Sequence, residues 1–165
     1  MKQLVRNLVI ALAVVLAIGA WQTRHLVARG ELAPQLVGTI LGGTTTYDLE
    51  AHRGKAVLVY FFAPWCGVCK VSAGNLEWLR GVFGTDSVEV VAVALDYETP
   101  EDVEAFVRDT DLGPVQTVLG SDAIRDQFKI NAYPSYYVID ADGRVTAASV
   151  GYSTLLGMMI RVLFA

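Results

Sequence analysis

Phe61-Phe62-Ala63-Pro64-Trp65-Cys66-Gly67-Val68-Cys69-Lys70 is the stretch whose reading decides the fold. Before it, Ala56 to Phe62 is a continuous apolar run rich in β-formers. Such a run predicts a central strand covered on both faces. After it, a helical pattern continues to about Val82. Cys66 therefore stands between a buried strand and a helix start. Backbone N–H groups at a helix N-terminus stabilise a nearby anion, and the thiolate is the nucleophilic form of cysteine. Cys69 follows one helical turn later on nearly the same face, so the two sulfurs can close a disulfide. Gly67 and Val68 add little bulk and no charge between them. In the implied exchange, the Cys66 thiolate attacks a partner disulfide to give a mixed disulfide. Cys69 then attacks Cys66 and releases the reduced partner.

These are the chain's 2 cysteines, so none remains for a structural disulfide framework. The core must hold by burial, which a domain of roughly 130 residues can achieve. A C-x-x-C is also half of a structural zinc site, but that needs a second ligand pair. Beyond the cysteines the chain offers only His25 and His52. The net charge is −4, and no basic run of the kind that tracks a phosphate backbone occurs, which sets nucleic-acid binding aside.

Outward from the motif, the elements follow from turn and capping signals. Leu36 to Leu41, Gly42-Gly43 and Thr44 to Leu49 read as a small β-hairpin. Val88 to Leu95 is a second buried strand. Thr99-Pro100-Glu101-Asp102 opens a helix, with Thr99 as cap and Pro100 in the first turn. Ser121 caps a short helix to about Phe128. Ser135 to Ile139 and Arg144 to Val150 form a hairpin through Asp140-Ala141-Asp142-Gly143, and Ser153 to Phe164 is a closing helix. The expected order is β-hairpin, β, α, β, α, α, β, β, α. The fold class is α/β, a mixed central sheet flanked by helices.

Hydrophobic residues make up 53% of the chain, and the excess sits at the N-terminus. Residues 7–23 carry no charge, with Lys2 and Arg6 before them and Arg24, His25 and Arg29 after. Spanning a bilayer takes about 17 to 20 apolar residues, and Trp21 suits an interfacial anchor. The expected organisation is a cytoplasmic N-terminus over 1–6, a transmembrane signal-anchor over 7–23, a polar spacer over 24–34 and one domain over 35–165. A secretory signal cleaved after Ile18-Gly19-Ala20 is the alternative, although Ile18 is bulky where a small residue is preferred. Positive charge on both flanks leaves the orientation open.

At Phe61 to Lys70 the sequence resembles the thioredoxin superfamily. The hairpin before it, with Asp48-Leu49 and Arg53-Gly54-Lys55, is similar to the TlpA/ResA branch of envelope thioredoxins. The Cys-Gly-Val-Cys centre is also similar to the suppressor-of-copper-sensitivity D type. The resemblance covers roughly Leu36 to the C-terminus. It implies a thioredoxin-like fold and a membrane-anchored thiol-disulfide oxidoreductase without a cofactor. That enzyme would usually act as a reductant in cytochrome c maturation or envelope disulfide reduction, recharged by an upstream membrane electron donor. The implied location is the cytoplasmic membrane, single-pass, with the domain facing periplasm or cell exterior.

The resemblance also implies that Pro134, in Tyr133-Pro134-Ser135, is a cis proline facing the cysteines. Trp65, Tyr133 and Pro134 would then bind the substrate segment. Two positions depart from relatives. Tyr133 is bulkier than expected, and Tyr60 stands where thioredoxins proper carry a buried acid. A proton partner for Cys69 must then be water or come from elsewhere. Glu77 is about 16 Å along the helix axis, too far to serve directly. Asp96 reads as a loop-capping residue and, more loosely, as that partner. Lys70 could support the thiolate or simply face solvent.

Two other classes stay open at this point. A copper-binding assembly factor would use the dithiol as a soft ligand pair, but both histidines precede the motif. An oxidase or isomerase would use the same residues in reverse, with direction set by redox potential. A peroxidase reading lacks the threonine expected upstream of the cysteine in Pro64-Trp65-Cys66.

Overall fold

The computed structural model describes residues 2–84, 87–110 and 112–165. A helix α1 (Lys2–Thr23) leads into the strands β1 (Val37–Ile40) and β2 (Thr46–Asp48), and a 3-10 turn (Leu49–His52) follows. Then come β3 (Ala56–Phe62), α2 (Gly67–Phe83), β4 (Val88–Ala94), α3 (Pro100–Asp109) and β5 (Gln116–Leu119). The chain ends with α4 (Asp122–Gln127), β6 (Ser135–Ile139), β7 (Val145–Val150) and α5 (Leu155–Leu163). The seven strands form one sheet in the order β2-β1-β5-β4-β3-β6-β7. The pairs β3-β4 and β4-β5 are parallel, and the others are antiparallel.

β3 lies inside the sheet, and Val57 to Phe62 are buried on both faces, as their unbroken apolar run requires. Leu58, Tyr60 and Phe62 pack under α2, α3 and α5. Val57, Val59 and Phe61 pack on the other side against Phe128, Tyr137 and the segment around Leu26 and Leu36. The capping chemistry holds as read. Thr99 and Asp102 form a reciprocal capping box, with the Thr99 N–H donating to Asp102 Oδ2 at 2.8 Å. The Ser121 hydroxyl accepts from the Ile124 N–H.

Two expectations need correction. The expected element order lacks β5. It is only 4 residues long, flanked by Gly113-Pro114 and Gly120-Ser121, and too short to show a period. Pairing makes it a strand: it adds to β4 in parallel and receives β1 at Thr39↔Leu119 and Ile40↔Val118. Through β5 the N-terminal hairpin becomes the sheet edge. Gly120 ends β5 so tightly against β4 that a Cβ there would lie 2.7 Å from the Ala94 carbonyl oxygen.

The second correction concerns the spacer. Leu26 and Val27 are buried in the core, and the Val27 N–H donates to the Tyr137 hydroxyl at 3.1 Å. The Gly30 N–H donates to Val145 O, the Val145 N–H to Glu31 O and the Ala33 N–H to Gly143 O. Residues 26–33 are thus a strap on the domain, because two apolar side chains within a polar stretch find a core face to cover. Among the described residues, no helix is long and apolar enough to cross a membrane. The anchor expected over 7–23 rests partly on the side chains of residues 12, 15, 16, 18 and 20–22, which lie outside the described residues.

The buried tyrosines set an alkaline limit. Burial pushes the Tyr136 and Tyr137 phenols from their ordinary 10 up to about 12, and Tyr47 and Tyr60 move the same way for the same reason. A raised folded pKa means that the folded state keeps protons that the unfolded chain releases above pH 10. This contribution is intact below about pH 10 and is lost as pH rises toward 12. A shift of about two units corresponds to on the order of 2–3 kcal/mol per phenol. Urea unfolding at successive pH values should show the midpoint falling steeply only above about pH 10. A midpoint flat to pH 12 would contradict this account.

Candidate active site

The strand-to-helix junction forms as the sequence dictates. β3 delivers the chain to Ala63 and Pro64, and Cys66 becomes the N-cap of α2 with extended backbone (φ −80°, ψ 108°). Its sulfur takes the place of an ordinary capping oxygen and accepts the Cys69 N–H at 3.2 Å. Cys66 and Cys69 are joined in a disulfide with Cα atoms 5.2 Å apart. On reduction the same N–H would stabilise the Cys66 thiolate.

Cys66 is 7% exposed and Cys69 0%, so Cys66 is the more accessible of the two residues. A full turnover moves two electrons and two protons between this pair and a partner dithiol.

Tyr60 lies directly beneath. Its hydroxyl donates to the Cys69 carbonyl at 3.0 Å and lies 3.2 Å from the Ser72 hydroxyl. Ser72 is fully buried and also donates to the Val68 carbonyl at 3.1 Å. Burial pushes the Tyr60 phenol well above its ordinary range, so it stays neutral and acts as a donor rather than a base. A buried hydroxyl pair therefore braces the first turn of α2 where thioredoxins proper carry a carboxylic acid.

The substrate-binding residues expected from sequence come together at this end of the sheet. The Tyr133–Pro134 peptide bond is cis. Ser135 pairs with Phe61, which puts Pro134 level with the end of β3, just before the motif. Trp65 is 69% exposed, and its ring meets that of Tyr133 edge-on at 5.9 Å between centroids. Lys70 and Glu77 both face solvent. His52 stacks on Tyr47 at 4.9 Å, before β3 and so at the opposite end of the sheet from Cys66. Among the described residues, no group of three or more His, Cys, Asp or Glu is placed to hold a metal ion.

Comparison with known proteins identifies the family. Residues 30–148 match the AhpC/TSA family. The chain belongs to that family. It is 31% identical over 126 residues to the thiol-disulfide oxidoreductase ResA of Bacillus cereus, covering 76% of this chain and 71% of the relative. ResA of Geobacillus kaustophilus is 27% identical over 159 residues, covering 93% and 90%. The crystal structure of a thioredoxin-family thiol:disulfide interchange protein from Chlorobium tepidum superposes with a TM-score of 0.73 at 23% identity, over 84% of this chain and 98% of that one. The fold is thioredoxin-like, and this AhpC/TSA-family protein is a thiol-disulfide oxidoreductase acting through Cys66 and Cys69.

Sequence reasoning missed two members of the site. Ser72 lies three residues after Cys69, so helical spacing could have placed it beside that cysteine. Arg125, on α4, pairs with Asp96 at 2.9 Å. No local signal connects these two, because they lie 29 residues apart.

Proposed function

We propose that this oxidoreductase reduces disulfides in extracytoplasmic proteins, including cysteines awaiting haem in cytochrome c assembly. In this reading an N-terminal anchor over residues 7–23 holds the domain on the outer side of the cytoplasmic membrane, and a membrane electron donor recharges it. Trp65, Tyr133 and Pro134 are the rim against which the partner segment lies. The observation that carries the proposal is the contrast between Cys66, the more accessible of the two, and a fully buried Cys69. Such a pair attacks, waits and resolves without releasing a long-lived mixed disulfide. The direction is supported by the uncharged Gly67-Val68 between the cysteines: no cation there favours the thiolate and so an oxidising potential.

Thiol alkylation of intact growing cells tests place, and rapid acid quench of a parallel sample before alkylation tests direction. The expected result is a mostly reduced Cys66/Cys69 pair, labelled by an alkylating reagent that does not cross the cytoplasmic membrane. Expression of Cys69→Ser in the same cells should add a few discrete mixed-disulfide bands that vanish with dithiothreitol. A mostly oxidised pair would reverse the direction, and labelling only after lysis would overturn the location.

A further inference from the structure

Trp65, Arg125 and Tyr133 meet at one residue, Asp96. Asp96 follows β4 with its backbone in the left-handed region, at φ +49°. Aspartate tolerates that region better than most residues. In this conformation its carbonyl oxygen accepts the Trp65 indole N–H at 2.9 Å. Its carboxylate is divided. Oδ2 accepts the Tyr133 hydroxyl at 3.0 Å, and Oδ1 takes Arg125 Nη1 at 2.9 Å. Arg125 is held in turn by Asp122 at 3.2 Å and Asp126 at 3.6 Å on its own helix.

Trp65 immediately precedes Cys66, and Tyr133 immediately precedes the cis proline. Without the Asp96 carboxylate the Tyr133 hydroxyl loses its acceptor, and without the left-handed turn that aims the Asp96 carbonyl the Trp65 indole, 69% exposed, loses its own. Ordering such a side chain when a partner docks costs conformational entropy. Charge-assisted hydrogen bonds are the stronger kind, and here one anion fixes the Tyr133 hydroxyl and Arg125 while its own carbonyl fixes Trp65.

We propose that Asp96 is a positioning residue that pre-orients Trp65 and Tyr133 as the two walls of the groove in which a partner's disulfide-bearing segment docks. The proposal rests on the reading of Trp65, Tyr133 and Pro134 as the docking rim. Asp96 acts through those two rings and leaves the exchange chemistry to Cys66 and Cys69. A pre-oriented rim matters to a macromolecular disulfide, which must lie along it. It does not matter to a small aromatic disulfide, which needs only Cys66.

The test is steady-state kinetics on the full-length chain in detergent, recharged by dithiothreitol. Insulin serves as the protein disulfide; dithiobis-nitrobenzoate, which dithiothreitol reduces directly, is the small one and is read in a single turnover by stopped flow against pre-reduced chain freed of dithiothreitol. Asp96→Ala should raise KM for insulin about tenfold, equivalent to 1.4 kcal/mol, with kcat and the small-disulfide rate unchanged. Asp96→Asn keeps the left-handed backbone and an acceptor for Tyr133, so it should fold normally and raise KM by a smaller factor. Tyr133→Phe should raise KM too, and adding it to Asp96→Ala should cost nothing more, because both remove one interaction. An unchanged KM in Asp96→Ala and Asp96→Asn would overturn the proposal, as would equal losses on insulin and the small disulfide. Trp65→Ala and Tyr133→Ala separate the two layers. If both raise KM while the Asp96 variants do not, the positioning role alone falls. If neither raises KM, the docking rim falls and takes the proposal with it.

Discussion

Replacing Cys66 with serine should lower disulfide exchange to the uncatalysed level, a loss of about 10⁴-fold or more. The serine hydroxyl supplies no thiolate at neutral pH, and Cys69 cannot stand in for it at 0% exposure. Cys69→Ser should behave differently. The first attack still occurs, because Cys66 keeps its place at the N-terminus of α2. Resolution fails, so one equivalent of partner stays bound as a mixed disulfide. Stopped-flow reaction with a disulfide probe, followed by intact-mass measurement, reads both outcomes. Comparable residual rates in the two variants would sink the assignment of Cys66 as attacking sulfur and Cys69 as resolving sulfur.

Phe62→Ala should give the largest loss of stability, about 3–5 kcal/mol. Phe62 is the last residue of β3 and fully buried. Its ring stacks on Phe106 of α3 at 4.4 Å and on Tyr60 at 5.6 Å. Truncation leaves a ring-sized cavity among helices fixed by other contacts, so the site cannot collapse to fill it. For a chain of this size the melting temperature should fall by roughly 10 °C. The backbone is expected to stay in place, because the Phe62 carbonyl still accepts the Leu95 N–H at 2.8 Å. Exchange by the folded fraction at low temperature should therefore remain near wild type. Thermal unfolding followed by circular dichroism measures the shift, and a fall of under about 3 °C would show that the core repacks.

Much of this was legible in the residues. The apolar run over Ala56 to Phe62, the cysteines after it, the Thr99 and Ser121 caps and the Asp140 to Gly143 turn each act within a turn or a strand's length. Local periodicity and capping chemistry carry that information, and those elements formed where they were read. The cis Tyr133–Pro134 bond came from family resemblance, since no local signal separates it from an ordinary turn proline.

A dithiol at a strand-to-helix junction, and with it the type of chemistry, can be read along the chain alone. Tertiary structure alone decided three other things. Gln116 to Leu119 is a strand only because β4 and β1 flank it. Residues 26–33 are a strap only because the face of Tyr137 and Val145 lies open to them. Asp96 gathers Trp65, Arg125 and Tyr133 only because the sheet order brings residues 31, 29 and 37 positions away to one end. Hydrogen bonds to such distant partners depend on which strands become neighbours, and no window along the chain contains that choice.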